Sequence, residues 1–473
     1  MRRQGHRSVS LVVVFAIVLV AIAVAVCAGA AAPARAAFAP HGIWSNVLGP
    51  TINTERWIDV AKGPDGSLYA GGDFGYGALN GEDLMVAKFS ADNGAASHRI
   101  WADTWDNPAE HRDDQTSAIA VDHSGALIVV GSSDTASNGW EWVVAKWSAG
   151  GTRLWQKTFA ASPLTDWNAY AWDVACDAAG HIYVCGTIQT GTHNGSVVAV
   201  LDVRKLASSD GHVLWAHAYA GNPNSFNQGS KLALGTSGNV YCTGYGQSIR
   251  GDSDIITCRF QASTGQLSWV RRIGDAKHRD DEGAGVVVRG GNLWVTGGEY
   301  MSASTRVVAL AKYALSGHRL WLRSWLERAN TREYPNALAV DAHGNAVVVG
   351  SGNNNPVTRE HAFIVRWNSV GRLRWRRISY NSVSHEATWR DVVCDAAGNI
   401  WVGGYEKAGS SDSLLVARYS AAGARAWKSA WKGPDGLGGE CGALCLGKTG
   451  LFAGGSVTTT AGGGDAAAAK YVR

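Results

Sequence analysis

The segment 391–427, DVVCDAAGNIWVGGYEKAGSSDSLLVARYSAAGARAW, contains the pattern that decides the fold of this chain. An Asp-x-x-Gly turn from Asp395 to Gly398 separates two short apolar stretches, and a third apolar stretch contains Arg418 near its end. A Gly-x-x-x-Trp segment that ends at Trp427 follows. Aspartate accepts hydrogen bonds from nearby backbone N–H groups and glycine adopts positive φ, so the turn is typical of a β-hairpin. The segment therefore predicts four short antiparallel strands.

The same pattern occurs eight times along the chain. The turn glycine recurs every 52 to 59 residues, at Gly66, Gly125, Gly180, Gly238, Gly291, Gly344, Gly398 and Gly450. Repeats of roughly 40–50 residues with four strands each are typical of β-propeller blades. We therefore predict an all-β fold, a single β-propeller with eight four-stranded blades.

Two further positions hold the same type of residue in each repeat, and we call such a set of equivalent residues a column. A tryptophan marks the fourth strand, at Trp44, Trp101, Trp155, Trp215, Trp269, Trp321, Trp375 and Trp427. A basic residue lies near the end of the third strand, at Lys88, Lys146, Lys205, Arg259, Lys312, Arg366, Arg418 and Lys470. The tryptophans are expected to pack between blades. The basic side chains are expected to pack their stems on neighbouring blades, with their charged ends either over aromatic rings or in solvent.

The two ends of the chain complement each other. The last repeat stops after Lys470 without a tryptophan strand, and the missing strand is present at residues 43–45. An N-terminal strand that completes the last blade leaves no open sheet edge. The sequence thus predicts that residues 37–473 form one closed domain.

Composition supports a globular β-rich chain. Of the 473 residues, 46% are hydrophobic and 17% are charged, which excludes a disordered chain. The 59 glycines favour many tight turns. The absence of long amphipathic patterns disfavours a helical bundle or a coiled coil.

The N-terminus is typical of a targeting segment. Residues 1–10 are basic, residues 11–32 are apolar, and residues 34–36 offer a small-x-small cleavage site. We interpret residues 1–36 as a secretory signal peptide, with a retained membrane anchor as the alternative. The sequence thus predicts a secreted or extracellular protein, or one anchored to the outer face of the cytoplasmic membrane.

The charge of the remaining chain is balanced. The first 36 residues hold four of the 43 basic residues and no acid, so 39 basic and 39 acidic residues remain. A neutral domain has no electrostatic footprint for nucleic acid, and membrane contact is expected only through an uncleaved N-terminal segment. A monomer is expected.

Seven cysteines follow the signal segment, an odd number for an exported chain. They are Cys176, Cys185, Cys242, Cys258, Cys394, Cys441 and Cys445. Their spacing matches no paired C-x-x-C metal site, so small buried side chains on strands are expected.

The repeat resembles the SBBP repeat, which is named for seven-bladed β-propellers. The resemblance rests on Asp-x-x-Gly-Asn followed by an apolar strand, on Val-Ala-Lys/Arg-Tyr and on Gly-x-x-Leu-Trp, and it spans residues 43–473. This chain has eight units rather than seven, and several units lack the turn aspartate. The resemblance implies a secreted or envelope propeller of bacterial type and transfers no catalytic residue.

A weaker likeness points to quinoprotein-type eight-bladed propellers. Residues 264–269, TGQLSW, match the Thr-Gly-x-x-x-Trp docking pattern of those proteins. The adjacent cysteine pair that is typical of such dehydrogenases is absent from the sequence. No quinone, and no other cofactor, is therefore assigned.

An acid or asparagine stands ten to twelve residues before each turn glycine. These residues are Glu55, Asp114, Asn168, Asn227, Asp280, Glu333, Glu386 and Glu440. We expect them to ring one mouth of the central channel. They are interpreted as caps that accept backbone N–H groups, and a cation held by the converging carboxylates is the alternative.

Asp59, Asp173 and Asp391 share one position on the innermost strand, where other units have mostly alanine. Carboxylates beside a channel can perform acid–base chemistry or cleave glycosidic bonds, so these three are the catalytic candidates. A polar, solvated mouth is the other interpretation. The sequence contains no serine-hydrolase, zinc-protease, P-loop or dinucleotide motif.

The segments that link one repeat to the next vary most. They carry Trp167, Trp389, His111, His278 and His385, which are predicted to form an exposed ligand-binding face. Three functions remain open. The first is an exported, non-catalytic scaffold that binds a protein or a glycan, the second an extracellular enzyme acting on a carbohydrate polymer, and the third a membrane-anchored surface structural protein.

Overall fold

The computed structural model describes residues 42–47, 54–75, 81–92, 98–107, 112–136, 139–161, 167–222, 224–248, 251–274, 280–354, 357–380, 386–408, 411–460 and 463–472. These residues form strands, turns and bends, and none of them is helical. The described part of the chain therefore contains no helix that could cross a membrane. The predicted signal segment lies outside the described residues.

The described residues form 32 strands. Blades 1 to 4 contain β2 (Thr54–Lys62), β3 (Leu68–Gly75), β4 (Glu82–Phe89), β5 (Arg99–Trp105), β6 (Asp114–Val121), β7 (Leu127–Thr135), β8 (Gly139–Trp147), β9 (Arg153–Phe159), β10 (Ala169–Cys176), β11 (Ile182–His193), β12 (Ser196–Leu206), β13 (Val213–Tyr219), β14 (Asn227–Leu234), β15 (Val240–Gln247), β16 (Ser253–Phe260) and β17 (Leu267–Ile273). Blades 5 to 8 contain β18 (Glu282–Arg289), β19 (Asn292–Ser302), β20 (Thr305–Ala314), β21 (Arg319–Trp325), β22 (Thr331–Val340), β23 (Ala346–Asn354), β24 (Val357–Trp367), β25 (Leu373–Tyr380), β26 (Ala387–Cys394), β27 (Ile400–Ala408), β28 (Ser411–Tyr419), β29 (Arg425–Trp431), β30 (Gly438–Leu446), β31 (Gly450–Thr458), β32 (Gly464–Val472) and the N-terminal strand β1 (Gly42–Val47).

Each blade is an antiparallel four-stranded sheet, as the repeat predicts. One parallel bridge between Arg306 and Arg332 joins the sheets of blades 5 and 6. Seven of the eight turn glycines adopt positive φ, between 71° and 90°, which explains why glycine recurs there. The chain is an eight-bladed β-propeller, and the predicted fold class is confirmed.

Strand β1 completes the last blade. It pairs antiparallel with β32, and Trp44 lies opposite Lys470. Blade 1 then packs on blade 8 through a shared buried cluster that includes Val60 and Phe452. The Lys470 Nζ donates a hydrogen bond to the backbone carbonyl of Ala91 in blade 1. These contacts close the ring.

The tryptophan column joins successive blades, as expected. The Nε1–H of Trp155 donates to the Ser208 carbonyl of the next blade at 3.1 Å, and four further indoles repeat this bond. A Cβ on the Gly-x-x-x-Trp glycine of the next blade would lie only 2.4–3.0 Å from the indole. That glycine therefore provides space for the preceding tryptophan.

The basic column is more buried than a solvated rim would be. Lys146 and Arg366 are at most 5% exposed, so the expectation of charged ends in solvent is wrong for them. Lys146 Nζ pairs with Asp122 at 3.0 Å and donates to the Ser208 carbonyl at 3.2 Å. One carbonyl thus accepts both a lysine and a tryptophan of the preceding blade. Lys312 and Arg418 also lie over the rings of Trp294 and Trp401, as the aromatic alternative predicts.

The seven cysteines are buried or half-buried and unpaired. Burial raises the pKa of Cys176, Cys394 and Cys445 to about 12, so these thiols are not nucleophiles at neutral pH. The expectation of small buried side chains is confirmed.

Candidate functional site

A β-bulge interrupts the innermost strand of every blade. In blade 1, for example, Trp57 pairs with Gly72 and Asp59 pairs with Gly71, so Ile58 is the extra residue. The glycine opposite the bulge is required by space, because in the eight blades a Cβ there would lie 1.8–2.4 Å from a backbone carbonyl oxygen. A bulge redirects the side chains that follow it. The sequence shows these glycines but does not reveal the bulge.

The residue after the bulge occupies one equivalent position in each blade. The eight residues are Asp59, Ala118, Asp173, Lys231, Gly285, Ala337, Asp391 and Ala443. The three predicted aspartates therefore do share one position on the innermost strand. Lys231 joins them, and sequence reasoning missed it although it stands seven residues before Gly238, the same spacing that separates each aspartate from its own turn glycine.

The three carboxylates form the same contacts. Asp59 Oδ1 accepts the N–H of its neighbour Val60 at 2.8 Å, and its Oδ2 accepts the N–H of Ile119 in the next blade at 2.9 Å. Asp173 and Asp391 bridge in the same way to Leu232 at 2.8 Å and Leu444 at 2.7 Å. Each aspartate thus ties its inner strand to the inner strand of the following blade.

The group is electrostatically coupled. Burial, and then the charges of Asp173 and Asp391, raise the pKa of Asp59 to about 6 against the lowering effects of its hydrogen bond and of Lys231. Asp173 in turn raises the pKa of Lys231. The side chain of Lys231 is exposed to solvent. Three carboxylates and one ammonium carry a net charge of −2 when ionised. The arrangement can hold protons or attract a cation.

Three acids of the predicted ring are buried, so the expectation that they line an open mouth is wrong for them. Glu55, Asp114 and Glu333 are at most 3% exposed at the start of their inner strands. The cap interpretation is confirmed for two of them, because Asp114 accepts the Asn107 N–H at 2.7 Å and Glu333 accepts the Glu327 N–H at 3.3 Å. Burial raises the pKa of Asp114 to about 7.

The other three acids are Asp280, Glu386 and Glu440. Each lies one residue before or after the strand position that Glu55, Asp114 and Glu333 occupy. Glu386 pairs with Lys407 at 3.1 Å, and Glu440 pairs with Arg390 at 3.0 Å. Asp280 is exposed, and its Oδ1 accepts the N–H of Ser253 at 3.2 Å.

The predicted ligand-binding residues separate into three groups. Trp389 is 1% exposed and lies in the core between blades 6 and 7, so its predicted exposure is wrong. It precedes the bulge on β26, where the side chain points between blades. Trp167 is half-buried beside Gly191. His111, His278 and His385 lie outside the described residues.

A cavity of about 570 Å³ opens where blades 3, 4 and 5 meet. It is lined by Ser196, Val197, Phe226, Tyr245, Gln247, Ser253, Asp280, Asp281 and Glu282. Phe226 and Asp280 belong to the links between blades, and Ser196 follows a hairpin between second and third strands. Because strands alternate in direction, these segments share one face of the propeller, which we call the linker face. The opposite face, with the Asp-x-x-Gly turns, is the hairpin face.

The cavity combines aromatic and acidic groups. The rings of Phe226 and Tyr245 stack with centroids 5.7 Å apart at an angle of 11°. Burial and then the nearby charges of Glu282 and Asp280 raise the pKa of Tyr245 to about 12. Sequence reasoning placed Asp280 on this face but missed the aromatic pair, which the repeat pattern does not mark.

Comparison with known proteins shows the fold. The sequence matches no protein-family model and no curated protein. The structure is similar to BamB from Moraxella catarrhalis, with 14% identity, a TM-score of 0.51, and 90% of this chain and 99% of that chain covered. It is also similar to a quinohemoprotein alcohol dehydrogenase from Comamonas testosteroni, with 9% identity, a TM-score of 0.54, and 94% and 78% covered. Sqt1 from Chaetomium thermophilum has 12% identity, a TM-score of 0.53, and 90% and 100% covered. These identities support the propeller fold alone.

Proposed function

We propose that this protein is an exported binding scaffold that takes a segment of a partner protein on its linker face. The observation that carries the proposal is the cavity of about 570 Å³ between blades 3, 4 and 5. Concave sites with a few placed polar groups are the usual binding sites of proteins. The export part rests on the N-terminal sequence pattern.

The lining favours a basic side chain of the partner. Asp280 and Glu282 supply negative charge, and the stacked pair of Phe226 and Tyr245 supplies aromatic faces. A guanidinium or ammonium group is attracted by both kinds of group. Val197, which is 39% exposed, adds an apolar contact for the stem of such a side chain.

The three aspartates that follow a bulge fit a structural role in this scaffold. Asp59, Asp173 and Asp391 each accept two backbone N–H groups, one of them from the next blade. Carboxylates that bridge blades in this way stabilise the ring. The enzyme alternative is favoured by one observation, the pKa of about 6 for Asp59, which is suited to proton transfer near neutral pH.

The test is a peptide array with lysine- and arginine-containing segments, followed by titration calorimetry of the hits. We expect D280N/E282Q to weaken binding at least tenfold, while D210N, an exposed acid on the hairpin face, leaves binding unchanged. Binding that D280N/E282Q does not affect would remove the cavity from the function. To test the enzyme alternative, the wild type and D59N are incubated with a panel of glycans, and the release of reducing ends is measured.

A further inference from the structure

Blade 6 carries a row of polar residues with a histidine, His361, at the position where blades 2 and 4 have Glu141 and Asp254. In the register of β22 to β25, Glu333 lies opposite Gly352, Gly352 opposite His361, and His361 opposite Tyr380. Gly352 leaves a gap in this row. A Cβ on it would lie 2.2 Å from Glu333 Oε2 and 2.6 Å from His361 Nε2. The missing side chain lets the glutamate and the histidine meet across the strand between them.

A third ligand atom comes from the link that precedes β22. His361 Nε2 lies 3.1 Å from Glu333 Oε2 and 3.6 Å from Glu327 Oε2. These three donor atoms all lie within 4.8 Å of one another. His361 and Glu333 have fully buried side chains, and the Glu327 side chain is 15% exposed.

The outer oxygens of both carboxylates already have donors. Glu333 Oε1 accepts the Thr331 hydroxyl at 2.8 Å, and Glu327 Oε1 accepts the Tyr380 hydroxyl. Both Oε2 atoms therefore face His361 Nε2. The Nε2 atom of a neutral imidazole carries at most one proton, so it donates a hydrogen bond to only one of these two carboxylate oxygens. Within the described residues, the buried Glu327 Oε2 accepts no hydrogen bond.

We propose that Glu327, Glu333 and His361 form a binding site for a first-row divalent transition metal, with Zn²⁺ as the ion of best fit. Donor atoms about 2.0–2.2 Å from a tetrahedral zinc are about 3.3–3.6 Å apart. The observed 3.6 Å lies in this range, and the observed 3.1 Å lies just below it. The imidazole nitrogen favours zinc over calcium or magnesium, which prefer oxygen ligands.

The surroundings resemble those of a metal site in two respects. A divalent ion balances the charges of two glutamates at a place where both are removed from most solvent. The Tyr380 and Thr331 hydroxyls hold the carboxylates in orientation from behind, as outer-shell partners do. Three protein ligands leave a fourth position, and the exposed part of Glu327 offers access from solvent.

A protonated His361 is the competing account, since an imidazolium also balances a carboxylate. The experiment therefore measures metal directly. The full chain, purified without a histidine tag and stripped with a chelator, is titrated with Zn²⁺ by calorimetry and with Co²⁺ by visible spectroscopy. We expect one ion per chain, a rise in melting temperature on zinc addition, and the intense bands of tetrahedral Co²⁺.

The variant E327Q removes one ligand at the least buried position and should lower zinc affinity at least tenfold. H181Q is the matched control, because His181 pairs with Asp177 at 2.8 Å but belongs to no cluster of three potential ligands among the described residues. No saturable binding of Zn²⁺ or Co²⁺ by the wild-type chain would overturn the proposal, whatever the variants do. Equal zinc affinity of E327Q and wild type would overturn it as well.

Discussion

The two faces of the propeller differ in how regularly they are built. On the hairpin face, the same contacts recur from blade to blade: Lys146 pairs with Asp122 and donates to Ser208, and Arg366 pairs with Asp341 and donates to Ala421. On the linker face the contacts change with each blade. The cavity lies between blades 3, 4 and 5, the Glu327–Glu333–His361 cluster lies in blade 6, and a cluster of a different composition, Asp83, Asp106 and Asp114, joins blades 1 and 2.

This difference separates stability from function. Contacts that recur from blade to blade hold neighbouring blades together, because each blade meets only its two neighbours. Contacts that occur once are free to serve a ligand, because variation in a link leaves the blades unchanged. Both proposals above therefore fall on segments that depart from the repeat.

The largest loss of stability is expected from breaking the buried ion pair on the hairpin face of blade 6. Asp341 and Arg366 are 2.6 Å apart, and their side chains are 1% and 6% exposed. D341N leaves the arginine charge buried without its partner and should lower the free energy of unfolding by about 3–5 kcal/mol. The measurement is urea denaturation at pH 7.

The matched variant on the linker face is E440Q, which breaks the half-exposed pair with Arg390. It should cost about 0–1 kcal/mol, because solvent already screens this pair. Equal losses for D341N and E440Q would contradict the distinction between the two faces.

A second test uses pH. Asp114 on the linker side has its pKa raised to about 7 by burial, above the ordinary value near 3.9 for an unfolded chain. Between these two values the folded state holds a proton that the unfolded state releases, so the contribution of Asp114 to stability rises as pH falls from 8 to 5. The slope is at most about 1.4 kcal/mol per pH unit.

The pH effect is measured as a difference between wild type and D114N, since other groups titrate in the same window. The melting temperature of D114N relative to wild type should be higher at pH 8 than at pH 5. On the hairpin face the sign reverses. Burial alone would raise the pKa of Asp122, but hydrogen bonds from Ser124 and Lys146 lower it, so that its contribution is lost only as pH falls below about 4.

A third test concerns the indole bond between blades. W155F removes the donor to the Ser208 carbonyl and some packing, while Lys146 still donates to that carbonyl. We expect a loss of about 1–2 kcal/mol. W167F, on a linker-face tryptophan, should stay within about 0.5 kcal/mol of wild type in the same thermal melts. A larger loss of stability for W167F would show that the links between blades contribute to the stability of the ring.

Local patterns predicted the architecture. The spacing of the turn glycines gave the number of blades, and Trp44 before the first repeat indicated the closing strand that pairs with β32. The position of the tryptophans between blades also followed from their recurrence. These features rest on turn chemistry and on the repeat itself, and both can be read over a few residues.

The burial and the contacts of the site residues depended on strand register, which a spacing of ten to twelve residues does not resolve. The bulge adds one residue to each inner strand, and a shift of one residue sends a side chain to the opposite face. The acid column allowed ten to twelve residues before the turn glycine, so it mixed buried residues such as Glu55 with Glu440, which stands out of register. Trp389 was assigned to a link and therefore to the surface, but the strand β26 already begins at Ala387.

The sequence by itself determined the eight blades, their four strands and the strand that closes the ring, because these follow from periodicity and from glycine at positive φ. Only the tertiary structure decided which side chains meet. The cavity takes its walls from three blades, and the cluster of Glu327, Glu333 and His361 forms across Gly352 in the row of a folded sheet. Such meetings depend on strand register and on packing between blades, which arise only when distant parts of the chain come together.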